Sequence, residues 1–240
     1  MRDLRYILKH TFNETAKALS SNGLLFIVIS ASLTFVSSTI SNIFSSGMGY
    51  IINYFIQILI LSLLAKVLNN IVTTNKVPTQ DFKYYLEHYF INIMNTYFVL
   101  YVFKIIYNML GVYFVNVPIA IKQETRIMIY VTLLFIIEEI ILGSLLESVY
   151  IDGLGGLNAY KRALSFIKDN IVEWTIISAP YLILRLAETG VLTNYYLLPV
   201  WARGLTALIL PILLLFRGKA YLLLSQSTKR KRKFMMEYDK

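Results

Sequence analysis

Six apolar stretches, each long enough to cross a bilayer, fill most of this chain and leave it few ways to fold. A spanning helix takes about 20 mostly apolar residues, and the stretches run Leu24 to Phe44, Tyr50 to Leu68, Phe90 to Phe114, Ile127 to Tyr150, Val172 to Leu192 and Pro199 to Leu224. They predict an all-α polytopic membrane protein. It would form one integral membrane domain over residues 1–240: an amphipathic N-terminal helix (1–20), a six-span bundle (24–224) and a basic cytoplasmic tail (225–240). Only 15% of the residues are charged and 57% are hydrophobic, whereas soluble domains carry roughly 25% charged residues. The formal net charge of +9 would suit a nucleic-acid partner in a soluble chain. Here the cations gather at the borders of apolar stretches, so no nucleic acid is expected. The absence of cysteine excludes disulfides, thiolate metal sites and cysteine nucleophiles.

The cations also orient the chain. Four precede the first stretch (Arg2, Arg5, Lys9, Lys17), three lie between the second and third (Lys66, Lys76, Lys83), three between the fourth and fifth (Lys161, Arg162, Lys168), and eight follow Phe216. With six crossings these all fall on one face, which the positive-inside rule makes cytoplasmic, together with both termini. The first stretch has no small-residue cleavage site at its end and reads as a retained span. The opposite face is thin: Ser45 to Gly49, Val115 to Arg126 around Pro118, and Thr193 to Leu198. Trp174, Tyr195, Tyr196 and Trp201 lie near span ends, where amphipathic rings favour the headgroup region, and are expected to act as anchors.

Three cytoplasmic segments have helical periodicity and read as interfacial amphipathic helices. In the first, Leu4, Ile7, Leu8, Thr11, Phe12 and Thr15 share a face. The second runs from Thr79 to Tyr89 behind Pro78, and the third from Leu157 to Asn170 behind Gly153, Gly155 and Gly156. The third is expected to tuck the stripe Leu157, Tyr160, Leu164, Ile167 and Ile171 against the bundle and to place Lys161, Arg162 and Lys168 on its polar face. Those three cations, with the run Lys229, Arg230, Lys231, Arg232 and Lys233, are the candidate contacts for anionic lipid headgroups. The strings LLAKV (63–67) and LLESV (145–149) close two descending spans, and each is followed by a break, a surface helix and an ascending span. That order suggests a parallel internal repeat, with sites expected between the copies.

The start MRDLRYILKHTFNETAKALSSNGLLFIVISASLTF, the segment LLESVYIDGLGGLNAYKRALSFIKDN and the ending LPILLLFRGKAYLLLSQSTKRKRKF resemble the membrane domain beside some glycerophosphodiester phosphodiesterases and the YciC-like six-span bacterial membrane proteins. The resemblance implies a bacterial inner-membrane protein in which Glu147, Gly153, Gly156, Ala159, Arg162 and Asn170 occupy the pattern of span-closing carboxylate, glycine turn and basic surface helix. The phosphodiesterase catalytic domain has no counterpart in this sequence.

Lys104 in span three, Glu138 and Glu139 in span four and Arg185 in span five fall at similar depth. A charge at the bilayer centre costs about 2.5–3.5 kcal/mol on insertion scales, so such residues usually face one another. They form a candidate intramembrane polar site, either a network that only sets helix register or a place for an ion, proton or anionic headgroup. Other chemistry is thin. His10 and His88 lack partners at zinc-ligand spacing, GLGG follows no strand, and no Ser/His/Asp group shares a depth. No catalytic residue, metal or cofactor is expected. Two functions are consistent with the sequence. One is a non-enzymatic, envelope-associated protein of the cytoplasmic membrane that contacts anionic lipid, a membrane-protein partner or a second copy of itself. The other is a small permease, or the membrane subunit of a transporter, that uses the midplane charges.

Overall fold

A computed structural model describes residues 2–43, 49–77, 87, 89–102, 106, 110, 129, 133, 143–188 and 200–238. Those residues are mostly helical, with no strand among them. The helices are α1 (Arg2–Ile43), α2 (Gly49–Thr74), α3 (Tyr89–Val102), α4 (Leu145–Tyr150), α5 (Leu157–Glu188), α6 (Val200–Gln226) and α7 (Lys229–Tyr238). Three contain segments long and apolar enough to cross a membrane: Asp3–Leu33 in α1, Ile51–Thr74 in α2 and Leu205–Gln226 in α6. Most of the predicted fourth span and of the second surface helix lies outside the described residues.

α6 is the axis of the structure. It packs against α1, α2 and α5, while α4 bridges α2 and α5, and α7 returns to α1. Gly218 allows the closest approach, since a Cβ there would overlap the Tyr150 hydroxyl and come within 2.6 Å of Val72 Cγ2. Around it Leu68, Ile71, Val72, Val149 and Leu215 are fully buried. A second cluster joins Ile7, Phe166, Trp174, Ile177 and Tyr221. Outside these clusters large apolar side chains point away from the protein, among them Leu24 (82% exposed), Val28, Phe55, Phe98, Val172 and Ile183. Exposed large apolar side chains suit a surface covered by another phase or partner, and the three helices long and apolar enough to cross a membrane point to a membrane location.

The breaks expected between surface helix and apolar stretch are present. Within α1, Asn22 (φ −143°, ψ 17°) separates the N-terminal amphipathic segment from the first apolar stretch, and within α5, Asn170 (φ −132°, ψ 23°) separates the third surface helix from the fifth stretch. Asparagine suits such points because its amide competes with the helix ladder: Asn170 Nδ2 donates to the Phe166 carbonyl at 3.1 Å. Non-helical backbone occurs inside α1 and α5 at these asparagines, while Pro180 and Pro211 sit within helices. The expected inward stripe of α5 is corrected. Ala159, Ala163, Phe166, Ile167 and Asn170 face the protein, whereas Leu157, Leu164 and Ile171 face outward at 64%, 48% and 53% exposure. The small alanines let the helix approach its neighbours closely, leaving Leu157 and Leu164 on the exposed side with Lys161 and Lys168. Trp174 is corrected too. It is 1% exposed and packs edge-on against Phe166 at 5.1 Å, a core residue and not a headgroup anchor.

Candidate polar site around Arg217

The described residues bring together a charged cluster where α6 meets α4, α5 and the turn between them. Arg217 is 3% exposed and Glu147 1% exposed. Removing two charges from water costs several kcal/mol per ion unless geometry and further bonds compensate. Arg217 Nη2 lies 3.2 Å from Glu147 Oε1 and also donates to the Gly143 carbonyl. Its guanidinium carbon sits 4.3 Å from the Tyr181 ring centroid and 5.2 Å from that of Trp174. A desolvated guanidinium over two rings gains cation–π attraction of about 2 kcal/mol. Two donors nearby, Tyr150 Oη and Trp174 Nε1, are buried without a hydrogen-bond partner among the described residues.

One turn further along α6, Tyr221 Oη donates to Asp152 Oδ2 at 2.6 Å, and Arg162 Nε donates to the same oxygen at 2.8 Å. The hydrogen bond to Asp152 raises the Arg162 pKa above its ordinary value, so this guanidinium stays charged. The turn that carries Asp152 is shaped by its glycines. Gly153 (φ 69°) and Gly156 (φ 58°) adopt left-handed backbone, where a side chain is strained. Gly155 sits against Asn92, whose Oδ1 would be 2.6 Å from an added Cβ. Asn92 Nδ2 donates to the Gly153 carbonyl, the Gly156 N–H donates to Thr96 Oγ1 at 2.8 Å, and Tyr160 Oη donates to the Thr96 carbonyl. The GLGG string is thus a docking turn against α3.

The other flank of α6 is joined to α1 and α2. Asn75 takes the left-handed conformation (φ 59°) just past α2, which asparagine tolerates. Its carbonyl accepts from Ser21 Oγ at 3.0 Å and Asn22 Nδ2 at 3.1 Å, and its Oδ1 accepts from Lys219 Nζ at 2.6 Å. Lys219 also lies 3.9 Å from Glu14. At the chain's ends, Arg232 of α7 is bidentate on Asp3 of α1 (2.9 and 3.0 Å) and donates to the Ser227 carbonyl at 2.6 Å. Four cations, Arg162, Arg217, Lys219 and Arg232, therefore each meet a carboxylate, and three of the four pairs tie one helix to another. Chemically the arrangement is a set of neutralised ties, suited to holding helices in register.

The sequence-predicted residues fall in different places. Lys104, Glu138 and Glu139 lie outside the described residues, and Arg185 is in the last turn of α5, partly buried. Lys161 and Lys168 are exposed and Arg162 is engaged with Asp152. In the tail, Lys229 opens α7 and Arg230, Lys231 and Lys233 are exposed. Arg232 is 1% exposed on Asp3, so it faces protein where a headgroup contact was expected. Sequence reasoning counted Arg217 and Lys219 with the cations after Phe216 and passed over Tyr221. A signal was present: Gly218 stands between two cations in a helix whose apolar side chains continue to Leu224. Apart from this cluster, a cavity of about 350 Å³ lies among α1, α2 and α3, lined by Leu33, Tyr54, Gln57, Leu61, Tyr97 and Tyr101 among others. No family model matches the chain, and no curated protein or solved structure matches it either.

Proposed function

We propose that this chain is a non-enzymatic multi-pass protein of the bacterial cytoplasmic membrane, crossing six times with both termini inside, whose interfacial helices contact anionic lipid. The observation that carries this reading is the outward face of α5 before Asn170. Leu157, Lys161, Leu164, Lys168 and Ile171 alternate bulky apolar and basic side chains on the exposed side, and the face runs on into Val172, Ile176 and Ile183. Such a face suits the boundary between acyl chains and headgroups: leucines enter the apolar side while lysine stems snorkel to phosphate. Each lysine near an anionic surface adds about 1 kcal/mol of attraction. The paired charges around Arg217 agree with a protein that holds its helices rigidly. The test is extraction into polymer nanodiscs with native lipid, followed by mass spectrometry. Anionic lipid should be enriched over the surrounding membrane, and Lys161→Gln with Lys168→Gln should reduce that enrichment. A lipid composition equal to that of the bulk membrane in both would sink the reading.

A second reading, a small permease or the membrane subunit of a transporter, draws on the cavity among α1, α2 and α3, whose aliphatic lining carries three tyrosines and Gln57. Its test is solute flux in proteoliposomes, with Gln57→Leu lowering the rate; an absence of flux across solutes of different charge counts against it.

A further inference from the structure

α1 and α5 match at a constant offset of 148 positions. Both are a surface helix, an asparagine bend and an apolar helix in unbroken order, and the bends at Asn22 and Asn170 differ by 11° in φ and 6° in ψ. In that register Phe26-Ile-Val-Ile-Ser-Ala31 lies on Trp174-Thr-Ile-Ile-Ser-Ala179, with Ile-Ser-Ala shared. Five buried positions coincide: Thr11 with Ala159, Thr15 with Ala163, Ala18 with Phe166, Phe26 with Trp174 and Ser30 with Ser178. Four exposed ones do too, with Lys9, Ala16, Ser20 and Leu24 matching Leu157, Leu164, Lys168 and Val172, whereas burial is reversed beside the bend at Gly23 against Ile171 and Leu25 against Glu173. A chance pairing of two amphipathic helices would share period 3.6 but would have no reason to share the bend. Both copies also meet α6 at one level. Glu14 pairs with Lys219, while its counterpart Arg162 shares Asp152 with Tyr221, two residues further on.

We infer that α1 and α5 are two copies of one structural unit flanking α6, and that α1 presents to the anionic leaflet a second contact face formed by Lys9, Phe12, Ala16 and Lys17. This rests on the proposed lipid contact of α5. The common level on α6 sets both surface helices at one depth. The occupant follows from chemistry: Phe12 is 66% exposed with Lys9 and Lys17 exposed beside it, and past the bend the same helix turns Leu24 and Val28 outward. A face with a bulky ring, two cations and an apolar continuation is complementary to headgroup phosphate above acyl chain.

The chain has no cysteine, so single-cysteine variants can be labelled without altering its core. Ala16→Cys and Leu164→Cys, each carrying an environment-sensitive fluorophore, would be reconstituted into vesicles of equal parts phosphatidylcholine and phosphatidylglycerol. Quenching would be read with lipids spin-labelled near the headgroup. Both labels should quench to similar extent, and Lys9→Gln with Lys17→Gln should lower the phosphatidylglycerol preference around the α1 label by about fivefold per lysine, leaving the α5 label unchanged. Quenching of the α5 label with none of the α1 label overturns the second face and leaves the α5 reading standing. Quenching of neither overturns both, and quenching of the α1 label alone overturns the equivalence of the copies.

Discussion

Arg217 shows how one residue can be visible in a sequence and still be misread. It follows Phe216 inside the stretch that runs to Leu224, yet counting cations by segment groups it with the tail and assigns it to the cytoplasm. Its burial depends on Glu147, 70 positions earlier, and on two rings from α5, none of which period or composition can link to it. Glu147 itself was singled out through family resemblance; the structure supplies its partner. Breaking such a pair strands a buried charge, which costs about 3–5 kcal/mol. Arg217→Leu should therefore lower the thermal unfolding midpoint in detergent markedly. Adding Glu147→Leu should recover most of the loss, because two apolar groups need no partner. If the double variant is as unstable as the single one, the pair is not what Arg217 contributes.

At the scale of elements, the periodicity announced helices correctly but misassigned which stripe of α5 faces the protein. The misassignment has a physical source: hydropathy ranks leucine above alanine, yet at a membrane boundary the leucines meet lipid and the alanines allow close helix contact. The breaks at Asn22 and Asn170 were legible, because the surface segments end and the next apolar stretches begin on either side of them. The tail shows a further element that charge counting passed over. α7 is closed at its N-terminus by Thr228, whose Oγ1 accepts from the Lys231 N–H, and is fastened by Arg232 to Asp3. Hydrogen bonds to charged groups contribute about 1.5–3 kcal/mol each. Asp3→Asn should thus speed trypsin cleavage after Arg230, Lys231 and Lys233 by roughly tenfold or more where cleavage follows the open population. Asp3→Glu should stay near the parent rate. Equal cleavage in Asp3→Asn, Arg232→Gln and the parent would mean that the tail helix is held by something else.

Across the whole molecule, membrane residence was legible because a long apolar run leaves a helix no better surroundings than lipid, and α1, α2 and α6 carry such segments. What the sequence did not reveal was the arrangement: α6 between α1 and α5, tied to α1 through Lys219 and Glu14 and to α5 through Tyr221, Asp152 and Arg162. Tertiary ties of this sort link residues up to 229 positions apart and leave no local periodicity. The same ties bear on topology. The partners Lys219, Glu14 and Asn75 place the end of α2, the bend of α1 and the last turns of α6 side by side, so residues near Lys76 and the tail after Gln226 should emerge on one face of the bilayer. On the proposed six crossings, the positive-inside rule makes that face cytoplasmic. A reporter active only in the cytoplasm should then be active after Lys240 and at Lys76 and silent at Ser46, which lies at the far end of the first apolar stretch. Activity at Ser46 would invert the orientation, and opposite results at Lys76 and Lys240 would contradict the packing of α2 beside α6 itself.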